Sequence, residues 1–246
     1  MDPSELRARI ATAQLVVVGE EHPNPHHHGA QRELVELALQ LQPSLALGLE
    51  MVAVPRQPIL DRWLTDGNDA ALVAGLDWEH TWGFPFGLYQ PMMDAVRKAH
   101  RPVYALNALS SLARKISRKG LSALDDAERA SLPELVPGPE SHRAFFKDAM
   151  SGHGHVLDEP TLERYYTAQL LWDETMAARA AEIVKAGTPL LVVLAGAGHA
   201  RRDAVAQRAQ RRGVAPTLTV LPVTEKDLPR ALADHQSDVL WVIRRR

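Results

Sequence analysis

Short apolar runs and helical stripes alternate along most of this chain. Residues 15–18, 45–49, 103–106 and 190–194 are brief and apolar, several of them rich in β-branched side chains. Such runs predict strands buried on both faces. Residues 217–221 and 239–243 repeat the pattern near the end. Between the runs, apolar positions recur every three or four residues. Residues 31–41 place Leu34, Leu37, Ala38 and Leu41 on one stripe, and residues 88–100 do the same with Leu88, Met92, Ala95, Val96 and Ala99. That spacing predicts amphipathic helices. Residues 200–212 read as a solvated surface helix. The alternation predicts an α/β fold, an open and mostly parallel central sheet flanked by helices.

Residues 110–186 interrupt the alternation. They hold helical patterns at 110–119, 125–132, 141–150 and 160–185 and no strand pattern, with proline- and glycine-bearing breaks at 133–139 and 152–160. This stretch reads as a helical insertion or lid within a single domain spanning 1–246.

In an open parallel sheet, ligands bind beyond the carboxyl ends of the strands. Those ends carry the candidate chemistry. The first predicted strand runs into Gly19-Glu20-Glu21-His22, the second into Glu50, the third into Asn107, and the fourth into Gly196-Ala197-Gly198-His199. Glu20 and His22 are two apart, so an extended backbone turns both to one side. Glu50 follows an otherwise buried run, and a carboxylate there needs a partner or a function. The glycines before His199 match neither a dinucleotide fingerprint nor a phosphate loop. They allow a sharp turn that sets His199 near a helix amino end, where the dipole is expected to keep the imidazole neutral. Glu20, His22, Glu50 and His199 are therefore expected to meet in one polar pocket. There His22 or Glu50 would act as base on water and Asn107 would stabilise an oxyanion. Alternatively His22, Glu50 and His199 would hold a divalent metal. His26, His27 and His28 form a triple histidine, with Gln31 one turn further on. Gln169 and Asp173, with Tyr165 and Tyr166, share a long helix and could close the pocket. Trp78 and Trp82 flank His80, and His153 and His155 are candidate lid groups.

Bulk properties narrow the classes. With 246 residues and 46% hydrophobic content the chain can bury one sizeable core. A net charge of −2 gives no electrostatic footprint for nucleic acid. The absence of cysteine removes disulfides, thiolate metal sites and cysteine nucleophiles. No run reaches the roughly 20 apolar residues of a membrane helix. The start lacks a signal-peptide pattern, so a cytoplasmic protein with no membrane partner is expected. Arg244-Arg245-Arg246 reads as a solvated tail.

Several of these segments together resemble the ChaN-like family. They are Gly19-Glu20-Glu21-His22, Asn24-Pro25, His27-His28, Gln31, Leu49-Glu50-Met51, the Trp78 and Trp82 region, Tyr89-Gln90-Pro91, Ala105-Leu106-Asn107, Gln169 with Trp172-Asp173, Met176-Ala177 and Ala195–His199. The resemblance covers about residues 13–222. It implies haem binding linked to iron uptake, and kinship with erythromycin esterases and the Tiki/TraB proteins, which are hydrolases. Haem-uptake members resemble secreted lipoproteins anchored through a cysteine, which this sequence lacks. A haem would need an axial His or Tyr, for which Tyr89, Tyr165, Tyr166 and the histidines are candidates. His27, His28, Gln31, Tyr89, Tyr165 and Asp173 are the expected cofactor-binding set. Three functions follow. The first is a hydrolase acting on an ester, amide or peptide bond. The second is a haem carrier, and the third a non-catalytic module for a peptide or small molecule. A homodimer is compatible with each.

Overall fold

The structure is a computed structural model that describes residues 3–152, 157–234 and 237–243. His153, His155 and the Arg244–Arg246 tail lie outside the described residues. In chain order the elements are α1 (Pro3–Thr12), β1 (Leu15–Val18), α2 (Pro25–Leu41), β2 (Ala46–Ala53), α3 (Gln57–Asp66), α4 (Asp69–Leu76), α5 (Trp78–Thr81), α6 (Gln90–Lys98) and β3 (Val103–Asn107). Then come α7 (Ser110–Lys119), α8 (Asp126–Ala130), α9 (Glu140–Gly152), α10 (Glu159–Lys185), β4 (Leu191–Leu194), α11 (Gln207–Arg211), β5 (Thr217–Thr224), α12 (Leu228–Ala233) and β6 (Val239–Ile243).

The six strands form one sheet in the order β3-β2-β4-β1-β5-β6, and every neighbouring pair is parallel. Alternation along each strand feeds two cores. Val16 and Val18 of β1, Leu47 and Leu49 of β2, and Val192 and Leu194 of β4 pack against α1, α2, α3 and α6. Leu15 and Val17, Ala46, and Leu191 and Val193 face α10 and the helical turns before β5. All of these side chains are inaccessible to water. Burial on both faces explains why the strands read as continuous apolar runs. Among the described residues no helix is long and apolar enough to cross a membrane.

Two departures from the sequence reading matter for the site. β2 runs on to Ala53, with a register shift against β3 between Leu49 and Ala53, so Glu50 lies inside the strand. Residues 200–212 do not form a solvated surface helix. A wide helical turn at Arg202–Ala206 kinks at Ala204, and only Gln207–Arg211 is regular. Its Ala200, Ala204, Val205, Arg208 and Ala209 are buried. The cause is the Arg208 guanidinium, which turns inward to Glu174 of α10 at 3.2 Å. It also donates to the carbonyls of Asp203 and Ala204 at 2.7 and 3.1 Å.

Core truncation should be costly at the middle of the sheet. Leu47→Ala, at a site with 0% exposure, is expected to lower unfolding free energy by about 2–5 kcal/mol. Leu232→Ala, at 56% exposure, should change it by less than about 0.5 kcal/mol. Urea denaturation monitored by circular dichroism would read both, and equal losses would misplace the core.

Candidate functional site

Reversal of strand order around β4 brings four strand ends side by side. Asn107 ends β3, Glu50 stands near the end of β2, the Gly196–His199 turn follows β4, and Glu20 and His22 follow β1. The alternation that builds the two cores also divides the carboxylates. Glu20 continues the Val16 and Val18 face, toward α2 and α6. Glu50 continues the Ala46 and Gly48 face, toward α10. The four expected side chains gather as two hydrogen-bonded clusters that meet at Gly196, and His22, Glu50 and His199 line one cavity.

Glu20 centres the first cluster and is 1% exposed. Its Oε1 accepts from His22 Nδ1 and from the Tyr89 hydroxyl, both at 2.8 Å. Its Oε2 lies 2.9 Å from His28 Nδ1. His28 Nε2 donates to the His22 carbonyl at 2.9 Å. Burial opposes charge on His28, but its bonds to Glu20 outweigh that and raise its pKa. His27 accepts from the Glu21 amide through Nδ1 at 3.0 Å, and burial lowers its pKa. Both imidazoles belong to α2, which starts at Pro25 with Asn24 as cap. Gln31 is fully buried and ties His28 to the Val18 carbonyl, so it braces the cluster from behind. Burial and the Glu20 charge push the Tyr89 hydroxyl far up, holding it as a phenol.

Glu50 and Asp173 frame the second cluster. Glu50 Oε2 accepts from the Gly196 amide at 2.6 Å, and His199 Nε2 lies 3.3 Å from Oε1. His199 Nδ1 donates to Asp173 Oδ1 at 2.7 Å, and the Gln169 amide lies 3.2 Å from the same nitrogen. Asp173 Oδ2 accepts from His142 Nε2 at 3.0 Å, and His142 Nδ1 meets the Tyr166 hydroxyl at 3.0 Å. Burial alone would lower the His199 pKa, but Glu50 and Asp173 push it up to about 10. The expectation of a neutral His199 is therefore wrong, because two buried carboxylates outweigh any dipole effect. Burial raises the Glu50 and Asp173 carboxyls, yet the neighbouring histidines leave the pKa of both lowered, that of Asp173 strongly.

Gly196 is where the clusters touch. A Cβ there would stand 2.9 Å from His22 Cε1 and 3.7 Å from Glu50 Oε2, so only glycine leaves room for the ring. His22 is the accessible member, with its side chain 29% exposed. Its ring stands edge-on to Trp82 and tilted against Phe84, with centroids 4.7 and 4.9 Å away. His22, Gln169 and His199 separate two cavities. A cleft of about 590 Å³ is walled by Met51, Val52, Trp82, Asn107 and Trp172 among others. A smaller chamber of about 270 Å³ lies behind, against Phe145, Phe146 and Met150 of α9.

Other expected site residues lie elsewhere. Asn107 reaches the cleft, but its amide donates to the Glu50 carbonyl at 2.9 Å and its oxygen accepts from Ala108. Tyr165 lines neither cavity; Tyr166, one position on, carries the helix face instead. Trp78 is buried in the core. His22, Glu50 and His199 do not form a metal set. Among the described residues no three His, Asp or Glu converge to hold an ion. The reason is visible in the bonds, since the Glu50 oxygens and both His199 nitrogens already face each other, Gly196 or Asp173. Sequence reasoning missed His142 and Arg208. The adjacent Asp173 and Glu174 in an otherwise apolar part of α10 were the available sign that buried cations must lie opposite.

A pH series tests the His199 charge. Its ordinary value is 6.5 and its folded value is about 10. A raised value means the stabilisation is complete below about 6.5 and is lost as pH rises through about 10. The stability gap between the wild type and His199→Gln should shrink across that window in denaturant melts. A constant gap would mean that His199 is neutral.

The family model for haem-binding uptake, Tiki superfamily, ChaN matches residues 6–209. No curated protein sequence matches the chain. Among solved structures, one describing cofacial haem binding to ChaN of Campylobacter jejuni aligns with a TM-score of 0.73. Its identity is 17%, over 97% of this chain and 91% of that one. A mutant erythromycin esterase in its open conformation gives 0.57 at 13% identity, over 90% and 72%. A succinoglycan biosynthesis protein gives 0.52 at 14%, over 89% and 68%. At such identities these structures share the fold alone. The family match spans most of the length, and the chain belongs to the haem-binding uptake, ChaN family of the Tiki superfamily.

Proposed function

We propose that this protein binds a haem-class tetrapyrrole in the larger cleft, with His22 as the iron-facing group. Family membership points to the ligand, and one observation carries the assignment of the residue. His22 is the partly exposed imidazole at the cleft, and its ring makes one hydrogen bond among the described residues, Nδ1 to Glu20, which leaves Nε2 free.

The donor set fits such a ligand. An axial imidazole is normally oriented by a carboxylate on its other nitrogen, and Glu20 stands in that position. The alternatives are occupied. Tyr89 is buried with its hydroxyl on Glu20, Tyr166 is bonded to His142, and His199 is held between two carboxylates. Trp82, Trp172, Met51 and Val52 supply apolar walls, and the volume of about 590 Å³ is in the range of small-molecule sites. When bound, the group would supply a redox-active iron. The chain itself supplies an oriented nitrogen and apolar walls.

A second reading, hydrolysis of an ester, amide or peptide bond, rests on the Glu20–His22 pair at 2.8 Å. An imidazole backed by a carboxylate can accept a proton from water. With His199 charged, that task falls to His22, while His199 would stabilise developing negative charge.

Titration with haem, followed by absorption, separates the readings. Wild type should develop a saturable Soret band, His22→Ala should lose it or shift it, and Glu20→Gln should bind about 10- to 100-fold more weakly. Circular dichroism would check that both variants are folded. A haem spectrum unchanged by the protein would remove the carrier reading. Ester hydrolysis lost in His22→Ala would then support the second.

A further inference from the structure

We infer that the tetrapyrrole of this protein carries a long apolar tail, and that a second groove, beside the end of β3 and between α7 and α10, seats that tail. The inference rests on the tetrapyrrole reading and narrows the ligand to one with an isoprenoid or alkyl substituent.

The groove has a volume of about 540 Å³, close to that of the cleft. Its walls are mainly apolar, with Leu109, Leu112, Leu132, Pro133, Leu171 and Ala178 among them. Its polar side chains are already engaged within the fold. The Asn107 amide meets the Glu50 carbonyl and the Ala108 amide. Ser131 and Thr175 donate to the carbonyls of Glu128 and Leu171, at 2.7 and 2.6 Å. Arg179 pairs with Glu182 at 2.9 Å, and its guanidinium lies over the Tyr104 ring. A polar ligand gains few hydrogen bonds in such a site, whereas hydrocarbon gains by leaving water.

The groove continues the cleft along four chain segments. Residues 51–53 wall the cleft, and Val54 and Pro55, next in the chain, wall the groove. Residues 107–109 border both. On α7, Ser110 and Ser111 face the cleft and Leu112 the groove. On α10, Gln169 and Trp172 face the cleft, while Leu171 and Thr175 face the groove. The large apolar side chain common to the two is Leu109, which is 36% exposed. Solvent exposure of a leucine between two apolar-walled cavities marks the surface as one that a ligand covers. A hydrocarbon chain leaving the cleft past Leu109 stays on apolar surface throughout.

The groove is built in advance. Ala113 and Ile116 of α7 pack with Ala168 and Leu171 of α10, and Ala108, Leu112 and Leu132 extend this cluster on its open side. Leu132 is held in place through α8. Its amide reaches the Arg129 carbonyl at 3.2 Å, and Glu128 pairs with Lys115 of α7. A preformed wall costs the ligand no ordering. A tetrapyrrole ring accounts for the cleft of about 590 Å³ and leaves the groove to a substituent on its edge.

The test compares haem b with haem o by Soret titration of the full-length protein, both added from the same dimethyl sulfoxide stock. Haem o keeps both propionates and replaces one vinyl with a hydroxyethylfarnesyl group, so the two differ in the tail. Haem o should bind about 10- to 100-fold more tightly than haem b. Ala178→Trp, which fills the groove, and Leu132→Asp, which places a charge in it, should each remove that preference and leave haem b binding unchanged. Leu232→Asp, at an exposed leucine outside the groove, should keep it. Circular dichroism would check that the variants are folded. Equal binding of the two haems by wild type, or a preference that survives both groove variants, overturns the tail site while leaving the cleft as a tetrapyrrole site. Binding of neither haem overturns the tetrapyrrole reading, and this proposal with it.

Discussion

Three buried carboxylates at the carboxyl edge of one sheet set the terms for everything around them. Glu20, Glu50 and Asp173 are at most 6% exposed. A buried charge without a partner costs several kcal/mol, on the order of a domain's whole stability. Each is therefore surrounded by donors. Glu20 takes His22, His28 and Tyr89; Glu50 takes Gly196 and His199; Asp173 takes His199 and His142. Helix positions follow from these demands as much as from apolar packing. α2 brings His28, α6 is preceded by Tyr89, α9 brings His142, and the kink after β4 lets Arg208 approach Asp173 and meet Glu174.

The two clusters differ in what they leave over. Around Asp173 the groups use up one another's bonding capacity, and the result is a fixed charge array. Around Glu20 one imidazole keeps a nitrogen in reserve. That asymmetry leaves His22 as the imidazole with an unbonded ring nitrogen among the described residues at the cleft. His199 supplies background electrostatics, although the two rings border the same cavities.

The strands were legible because burial on both faces leaves no polar interruptions. Runs such as Leu15-Val16-Val17-Val18 and Leu191-Val192-Val193-Leu194 admit little else. The strand-end chemistry was legible for the same reason, since a Glu or His that breaks such a run stands out. Partner residues were not. His142 and Arg208 lie on amphipathic segments where polar residues are ordinary, and only the tertiary fold turns them inward. α3 escaped the reading although its limits were written in the chain. Pro58 sits in its first turn, and Gly67 ends it at a φ of 65°. The charge of His199 was beyond reach, because it depends on Asp173 from a helix 26 residues away in sequence.

The strand order has a consequence for how the protein comes into being. β4 lies between β2 and β1, and the Glu50–Gly196 bond joins residues 146 apart. While the chain is being synthesised, β1 and β2 each present an unpaired edge until β4 emerges. Long-range parallel pairing of this kind is slow, and open strand edges invite association with other chains. The middle of the chain, with α7 to α10, is made before that gap can close. Its α10 already carries Asp173 and the apolar face that will cover β4. Assembly of the strand-end clusters and closure of the sheet are thus one late event, and a chain stalled short of β4 would hold neither.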